Sequence, residues 1–355
     1  MSGTSLDGVD AVLTEFNAQR CLVTHSHFLA YSTALRAELL ALHVSDKNEL
    51  ERSAIIGNQL AQLYAIAVNQ LLAIANIDKA KIAAIGCHGQ TIRHRPELGY
   101  TLQIGNPSLL AELTGICVVA DFRSRDIAAG GQGAPLVPAF HHALFADKQI
   151  HRVILNIGGI ANLTNLPVDG TVSGFDSGPG NMLMDAWAEQ HLGKAYDESG
   201  NWASTGQIID GLLDALLAHP FFKQTPPKST GRDMFNLPWL AHYLQADYAA
   251  ADVQRTLLEL TAQTIAMSVK EYCGAVSEIY LCGGGAHNQL LVHRLQQLLH
   301  PVKIGMSDAL GINADWVEAA AFAWLARQAV HQLPGNLPAV TGAKGERILG
   351  AIYAA

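Results

Sequence analysis

Glycine placement constrains this chain more than any other feature. Residues 153–165 read VILNIGGIANLTN: an apolar run, then Gly158-Gly159 flanked by Asn156 and Asn162. This predicts a buried strand that breaks into a tight, polar-edged turn. A missing Cβ permits positive φ and lets an anion approach the main chain, where successive N–H groups make an anion-binding nest. Taken alone, Gly-Gly after a strand is more often a plain hairpin turn. Two more turns of this kind occur, SGTSLDG at residues 2–8 and LCGGGAHN at residues 281–288. The last follows a strand expected over 277–281 and leads straight into a helix, an arrangement that suits a nucleotide lying on the turn. Three such turns point to paired α/β halves facing a cleft.

Composition sets the outer limits. A chain of 355 residues suits two domains. With 49% hydrophobic and 15% charged residues, much of each domain is interior. The net charge of -8, and 23 Lys and Arg with no basic run, exclude a nucleic-acid surface. No apolar stretch approaches the roughly 18 residues of a membrane span and no leader is recognisable, so the expectation is a cytoplasmic chain with no membrane partner. Five scattered cysteines without a CxxC pair read as buried thiols in a reducing compartment. GxxxxGK[ST] does not occur, which excludes a P-loop kinase.

Along the chain, MSGTSLDGVD forms a polar loop with Asp7 and Asp10 that runs into the strand AVLTEF. A loop of this kind usually follows a strand, so an incoming strand ahead of Met1 is expected; the other reading is a frayed polar terminus. A packing helix is expected over 48–75. A strand over 82–87 empties into His88-Gly89-Gln90-Thr91, and one over 116–122 ends in Asp121, Arg123, Arg125 and Asp126. Open α/β sheets place ligands past such strand ends, and arginine offers the fork that takes a carboxylate bidentately. A satisfied surface histidine and a solvated salt-bridge cluster are the plainer readings. Asn106 and Pro107 mark a helix start.

The domain boundary falls near 131–147. Beyond it, GFDSGPGN at 174–181 reads as a Gly/Pro-rich turn ahead of a helix over 182–191, with Asp176 either a turn former or a rigidly held general base. A helix over 315–332 carries Glu318 in its first turn, where it would complement the dipole. Its small face, Ala319 to Ala321 and Ala323, would admit another helix backbone.

The order of the three turns resembles that of the sugar kinase, Hsp70 and actin superfamily. The stretches MSGTSLDGVD, GCHGQTIRH, QIGNPSLLAELTGICVVADFRSRDIAAGGQGAPLVPAFH, LNIGGIANLT, GFDSGPGN and PKSTGR resemble the anhydro-N-acetylmuramic acid kinase family over nearly the whole chain. The resemblance implies an α/β fold of two actin-like (ribonuclease H-like) domains around a nucleotide cleft: residues 1–140 completed by 315–355, and residues 141–314. It also implies a bacterial enzyme of peptidoglycan recycling. With ATP, Mg²⁺ and water it would open 1,6-anhydro-N-acetylmuramic acid and phosphorylate O6, giving N-acetylmuramic acid 6-phosphate and ADP. Gly3, Thr4, Ser5, Leu6, Asp7, Gly8, Val9 and Asp10 would wrap the ATP phosphates, Gly158 and Gly159 would form the second phosphate turn, and Gly283, Gly284 and Gly285 would hold adenosine.

Asp176 matches the family's catalytic aspartate, and Glu318 is a candidate supporting carboxylate. His88, Gln90 and Thr91 would bond the amino sugar's hydroxyls or acetamido group, and Arg123 or Arg125 its lactyl carboxylate. Mg²⁺ would sit on ATP oxygens and waters near Asp7, with no direct protein ligand assigned. The family carries a short strand ahead of MSGTS that these residues do not include. A homodimer is left open. The rivals are another sugar kinase on the same fold, and an actin-like filament or ATP-gated chaperone.

Overall fold

The computed structural model describes every residue except 4, 18, 19 and 233, so the expectation for Thr4 lies outside the described residues. The chain forms two mixed α/β units, Met1–Leu144 with Trp316–Ala355, and Phe145–Asp315. In the first, β1 (Gly8–Phe16) and β2 (Cys21–Ala30) make an antiparallel pair. β1 starts within the expected loop, so Gly8, Val9 and Asp10 are strand residues. Gly8 explains this: a Cβ there would stand 2.5 Å from the Leu29 carbonyl oxygen and 2.6 Å from the Phe28 ring. This glycine lets two strands close up.

Helices α1 (Thr33–Ala41) and α2 (Glu49–Ala75) follow, α2 burying Leu60, Tyr64 and Leu71 on one face. β3 is only Ile85–Gly86 and lies parallel to β6 (Val118–Ala120), both shorter than their apolar runs. Between them an unexpected hairpin, β4 (Gln90–Arg95) and β5 (Tyr100–Ile104), takes up Gln90 and Thr91, which the sequence placed in a loop. α3 (Pro107–Thr114) has the expected start, with Asn106 Oδ1 accepting the Leu109 N–H at 2.9 Å. Short α4 (Ser124–Ala128) and α5 (Val137–Phe145) complete this stretch.

The second unit is built on β7 (Arg152–Ile157), β8 (Ile160–Leu166) and β9 (Ser173–Pro179), an antiparallel meander. α6 (Met182–Leu192), α7 (Asp210–Leu217), α8 (Leu237–Ala241) and the long, mostly buried α9 (Ala250–Tyr272) come next. β10 (Glu278–Cys282), α10 (Gln289–Leu298) and β11 (Lys303–Met306) then add two strands parallel to β7. The resulting order, β11-β10-β7-β8-β9 with only β8 reversed, is the ribonuclease H-like arrangement. β7 buries Val153, Ile154 and Leu155 in succession, hence on both faces, which is why VIL reads as an apolar run before Asn156.

The chain then returns to the first unit with α11 (Val317–Val330), α12 (Pro338–Thr341) and β12 (Ala351–Tyr353), the last pairing with β6. The small residues of α11 admit a strand where the sequence suggested a helix: at Gly86 in β3 a Cβ would overlap the Phe322 carbonyl. A cavity of about 360 Å³ in this unit is walled by β1, β3, α2 and α11, largely hydrocarbon, with His88 and Gly89 at its margin. No described helix is long and apolar enough to cross a membrane. All five cysteines are free.

Candidate active site

Register assembles the catalytic candidates of the second unit. Asp176 on β9 faces Asn162 on β8, Asn162 faces Asn156 on β7, and Asn156 faces Cys282 on β10. At about 4.8 Å between strands, the polar row from Asp176 to Asn156 spans roughly 10 Å. All three polar residues are half-buried in an otherwise buried sheet. GFDSGPGN is thus a strand, not the turn expected from its composition. A register shift beside Ala161/Asn162 leaves Ser177 bulged next to Asp176, a device that re-aims side chains near functional sites.

The two glycine turns of this unit meet at the carboxyl end of the adjacent strands β7 and β10. Gly283 takes φ +78, and its missing Cβ leaves room for Asn156 Oδ1; at Gly285 a side chain would overlap Ile157. Gly158 and Gly159 behave differently from the expected nest. Neither adopts the left-handed conformation, and they close the β7–β8 hairpin. Their carbonyls accept N–H groups from the entry to α6: Gly180 to Gly159 and Asn181 to Gly158, each at 2.8 Å, and Met182 to Gly159 at 3.2 Å. Of these donors only Met182 belongs to α6, so the hairpin engages one amide of its first turn and the two residues before it.

Burial pushes the Asp176 carboxyl up to about 7, against the opposing pull of the Thr230 N–H and the Lys228 ammonium. Thr230 donates to Asp176 Oδ2 at 2.9 Å, and the Asp176 N–H donates to the Lys228 carbonyl at 3.1 Å, so residues 228–230 of PKSTGR run alongside β9. The Lys228 ammonium is lodged 5.0 Å from the Phe221 ring centroid and 5.5 Å from that of Tyr272. Burial lowers its affinity for a proton. Asp185 on α6 is likewise pushed up to about 7, by burial. The sequence reading passed over Asp185, Lys228 and Thr230 as site residues, although PKSTGR was visible as a motif.

In the first unit the structure joins His88 to Arg123. The guanidinium donates through Nε (3.1 Å) and Nη2 (2.9 Å) to His88 Nε2, and through Nη1 to the Gly133 carbonyl at 2.8 Å. His88 packs on Phe322 with ring centroids 4.5 Å apart. Burial, then the Arg123 charge, hold its imidazole well below the usual range, so it is neutral with Nε2 as acceptor. Burial lowers Arg123 to about 10 although Glu318 and Asp126 oppose this, and burial raises Glu318 against the pull of Arg123. Gln90 Nε2 donates to the Gly3 carbonyl at 3.2 Å, while its Oε1 and His88 Nδ1 are buried without a partner. Thr91 accepts from Gln103 across the β4–β5 hairpin. Arg125 is exposed on α4, apart from this cluster. Ser5 bonds exposed Asp7 at 2.6 Å, and Leu6 is buried with φ 56.

A family model described as anhydro-N-acetylmuramic acid kinase matches residues 1–355. The chain belongs to the anhydro-N-acetylmuramic acid kinase family. Its relatives include proteins of that name from Nitrosomonas europaea, 61% identical, and Nitrosospira multiformis, 59% identical, each covering 100% of this chain and 98% of the relative. One from Thiobacillus denitrificans is 57% identical over 100% of this chain and 96% of its own length. The chain is accordingly an enzyme of the kinase class that uses ATP.

Proposed function

We propose that the protein phosphorylates O6 of 1,6-anhydro-N-acetylmuramic acid while water opens its 1,6-anhydro bridge, a step of peptidoglycan recycling carried out in the cytoplasm. The observation that carries the reading is Asp176: a half-buried carboxyl poised near neutrality, on a bulged strand in line with the glycine turns. In its ionised form Asp176 takes a proton from water, whose oxygen bonds to C1 as the C1–O6 bond breaks, as in inverting glycoside hydrolysis. O6 keeps that electron pair and bonds to the γ-phosphorus as the bond to the ADP oxygen breaks. The proton on Asp176 then passes to solvent. O6 needs no separate proton donor.

Asn156, Gly283, Gly284 and Gly285 are assigned to the nucleotide, and Gly158 and Gly159 to its phosphates. Gly3 to Asp10 are assigned to the phosphates from the first unit. Arg123 and His88 are assigned to the sugar's carboxylate and neighbouring polar groups, with Gln90 and Thr91 beside them and Glu318 supporting the Arg123 charge. Arg125 is the weaker choice because it stands apart. Mg²⁺ would neutralise charge on the transferring phosphate. The ion would be carried on ATP oxygens and water near Asp7.

The deciding experiment incubates the enzyme with MgATP, the anhydro sugar and ¹⁸O-labelled water, with exchange at the reducing end controlled. One ¹⁸O at C1 of the phosphorylated product is expected. Phosphorylation of the already hydrolysed sugar alone, with the anhydro sugar ignored, would overturn the coupled reaction in favour of an ordinary sugar kinase.

A further inference from the structure

We propose that Asp126 is a positioning residue: its carboxylate fixes the glycine loop 130–133 so that the Gly133 carbonyl aims the Arg123 guanidinium at the anionic group of the sugar. The inference rests on the functional reading above and extends it to a residue that touches no substrate. Asp126 is wholly buried. One oxygen accepts from Asn336 Nδ2 at 2.7 Å and Thr341 Oγ1 at 2.8 Å, and the other accepts the Gly133 N–H at 2.8 Å. The loop wraps it so closely that a Cβ on Gly131 would overlap the carboxylate. Gln132 N–H donates to the Thr341 carbonyl at 2.7 Å, which clamps the loop from its other side.

A buried carboxylate is costly unless its lone pairs are filled, and here filled lone pairs dictate a loop shape. That shape presents the Gly133 carbonyl to Arg123 Nη1. With Nε and Nη2 aimed at His88, the guanidinium is held from two directions and keeps two of its five N–H groups for a ligand. Asp126→Asn preserves shape but turns one acceptor into a donor facing Gly133 N–H, Asn336 or Thr341. The loop must shift, and Arg123 loses its second anchor.

The test measures KM for the anhydro sugar and for ATP in wild type, Asp126→Asn, Arg123→Ala and the double variant. Expected are a rise of about tenfold in sugar KM for Asp126→Asn, ATP KM and kcat within about twofold, and a double variant no worse than Arg123→Ala. Turnover of 1,6-anhydro-N-acetylglucosamine, which lacks the lactyl carboxylate, should be indifferent to Asp126. Thr341→Val keeps the shape and removes one donor; it should raise sugar KM selectively but less, and it carries the comparison if Asp126→Asn does not fold. Multiplying effects in the double variant, or equal rises for both substrates, would overturn the inference. Inactive wild type would overturn the functional reading and this inference with it.

Discussion

A carboxyl group that loses its proton near pH 7 is suited to accept one from water at physiological pH, and Asp176 owes that property to burial. Asp176→Asn should lower kcat by roughly 10²–10⁴-fold, read in a steady-state assay; near-normal turnover would remove it from the mechanism. The acid limb of kcat/KM in wild type should rise through about pH 7. Lys228→Met should move that limb to higher pH, because the ammonium holds the carboxyl down. The same group affects stability. Its folded value lies above the ordinary 3.8, so its contribution is full below that value and is lost as pH rises through about 7. Asp176→Asn should therefore melt above wild type at pH 8, and the gap should close toward pH 4. The identity of Asp176 was legible in GFDSGPGN. Its environment was not, because Thr230 comes from 54 residues away, just as two of the partners of Asp126 come from 210 and 215 residues away. Contacts at such separations leave no local pattern.

Elements were legible where one physical signal dominated. α2 follows from its apolar face, α3 from the Asn106 cap and Pro107, and β7 from the successive buried Val153, Ile154 and Leu155. β9 was hidden because Gly, Asp, Ser and Pro read as turn chemistry. At the edge of its sheet, with Pro179 as its final residue, such a composition is tolerated. The β4–β5 hairpin was hidden because its strands carry Arg93, His94 and Arg95 beside a single buried apolar side chain, Ile92. α9 holds a different lesson. Glu259, fully buried on this helix, is met by Arg294 of α10 at 2.8 Å, and burial, which would raise its proton affinity, is outweighed by the Arg294 and Gln263 hydrogen bonds. Arg294→Met would leave the buried carboxylate with only the Gln263 hydrogen bond and the more distant charge of Arg255, at a cost of about 3–5 kcal/mol. Denaturant melts should register that loss, and adding Glu259→Gln should recover part of it; an unchanged midpoint for the single variant would show that solvent already screens the pair.

Over the whole molecule, the second unit is one continuous segment, Phe145–Asp315, whereas the first draws on both ends of the chain. α11 buries Val317, Phe322 and Leu325 in that first unit, and β12 adds the strand beside β6. A chain ending at residue 315 should keep the second unit and lose the first. Limited proteolysis should then leave a resistant fragment close to residues 145–315, and equal digestion of both halves would contradict the division. Length suggested two domains, and the family resemblance led one to expect residues 315–355 to complete the first; the contacts group Trp316–Ala355 with Met1–Leu144. For a chain made from its N-terminus onward, this topology reverses the usual order of maturation. While the ribosome is still adding Asn336 and Thr341, Phe145–Asp315 already has every strand of its sheet. Asp126, made long before, waits for those two partners, so the middle of the polypeptide is ready before its beginning, and translation must pass residue 341 before the Arg123 site can set.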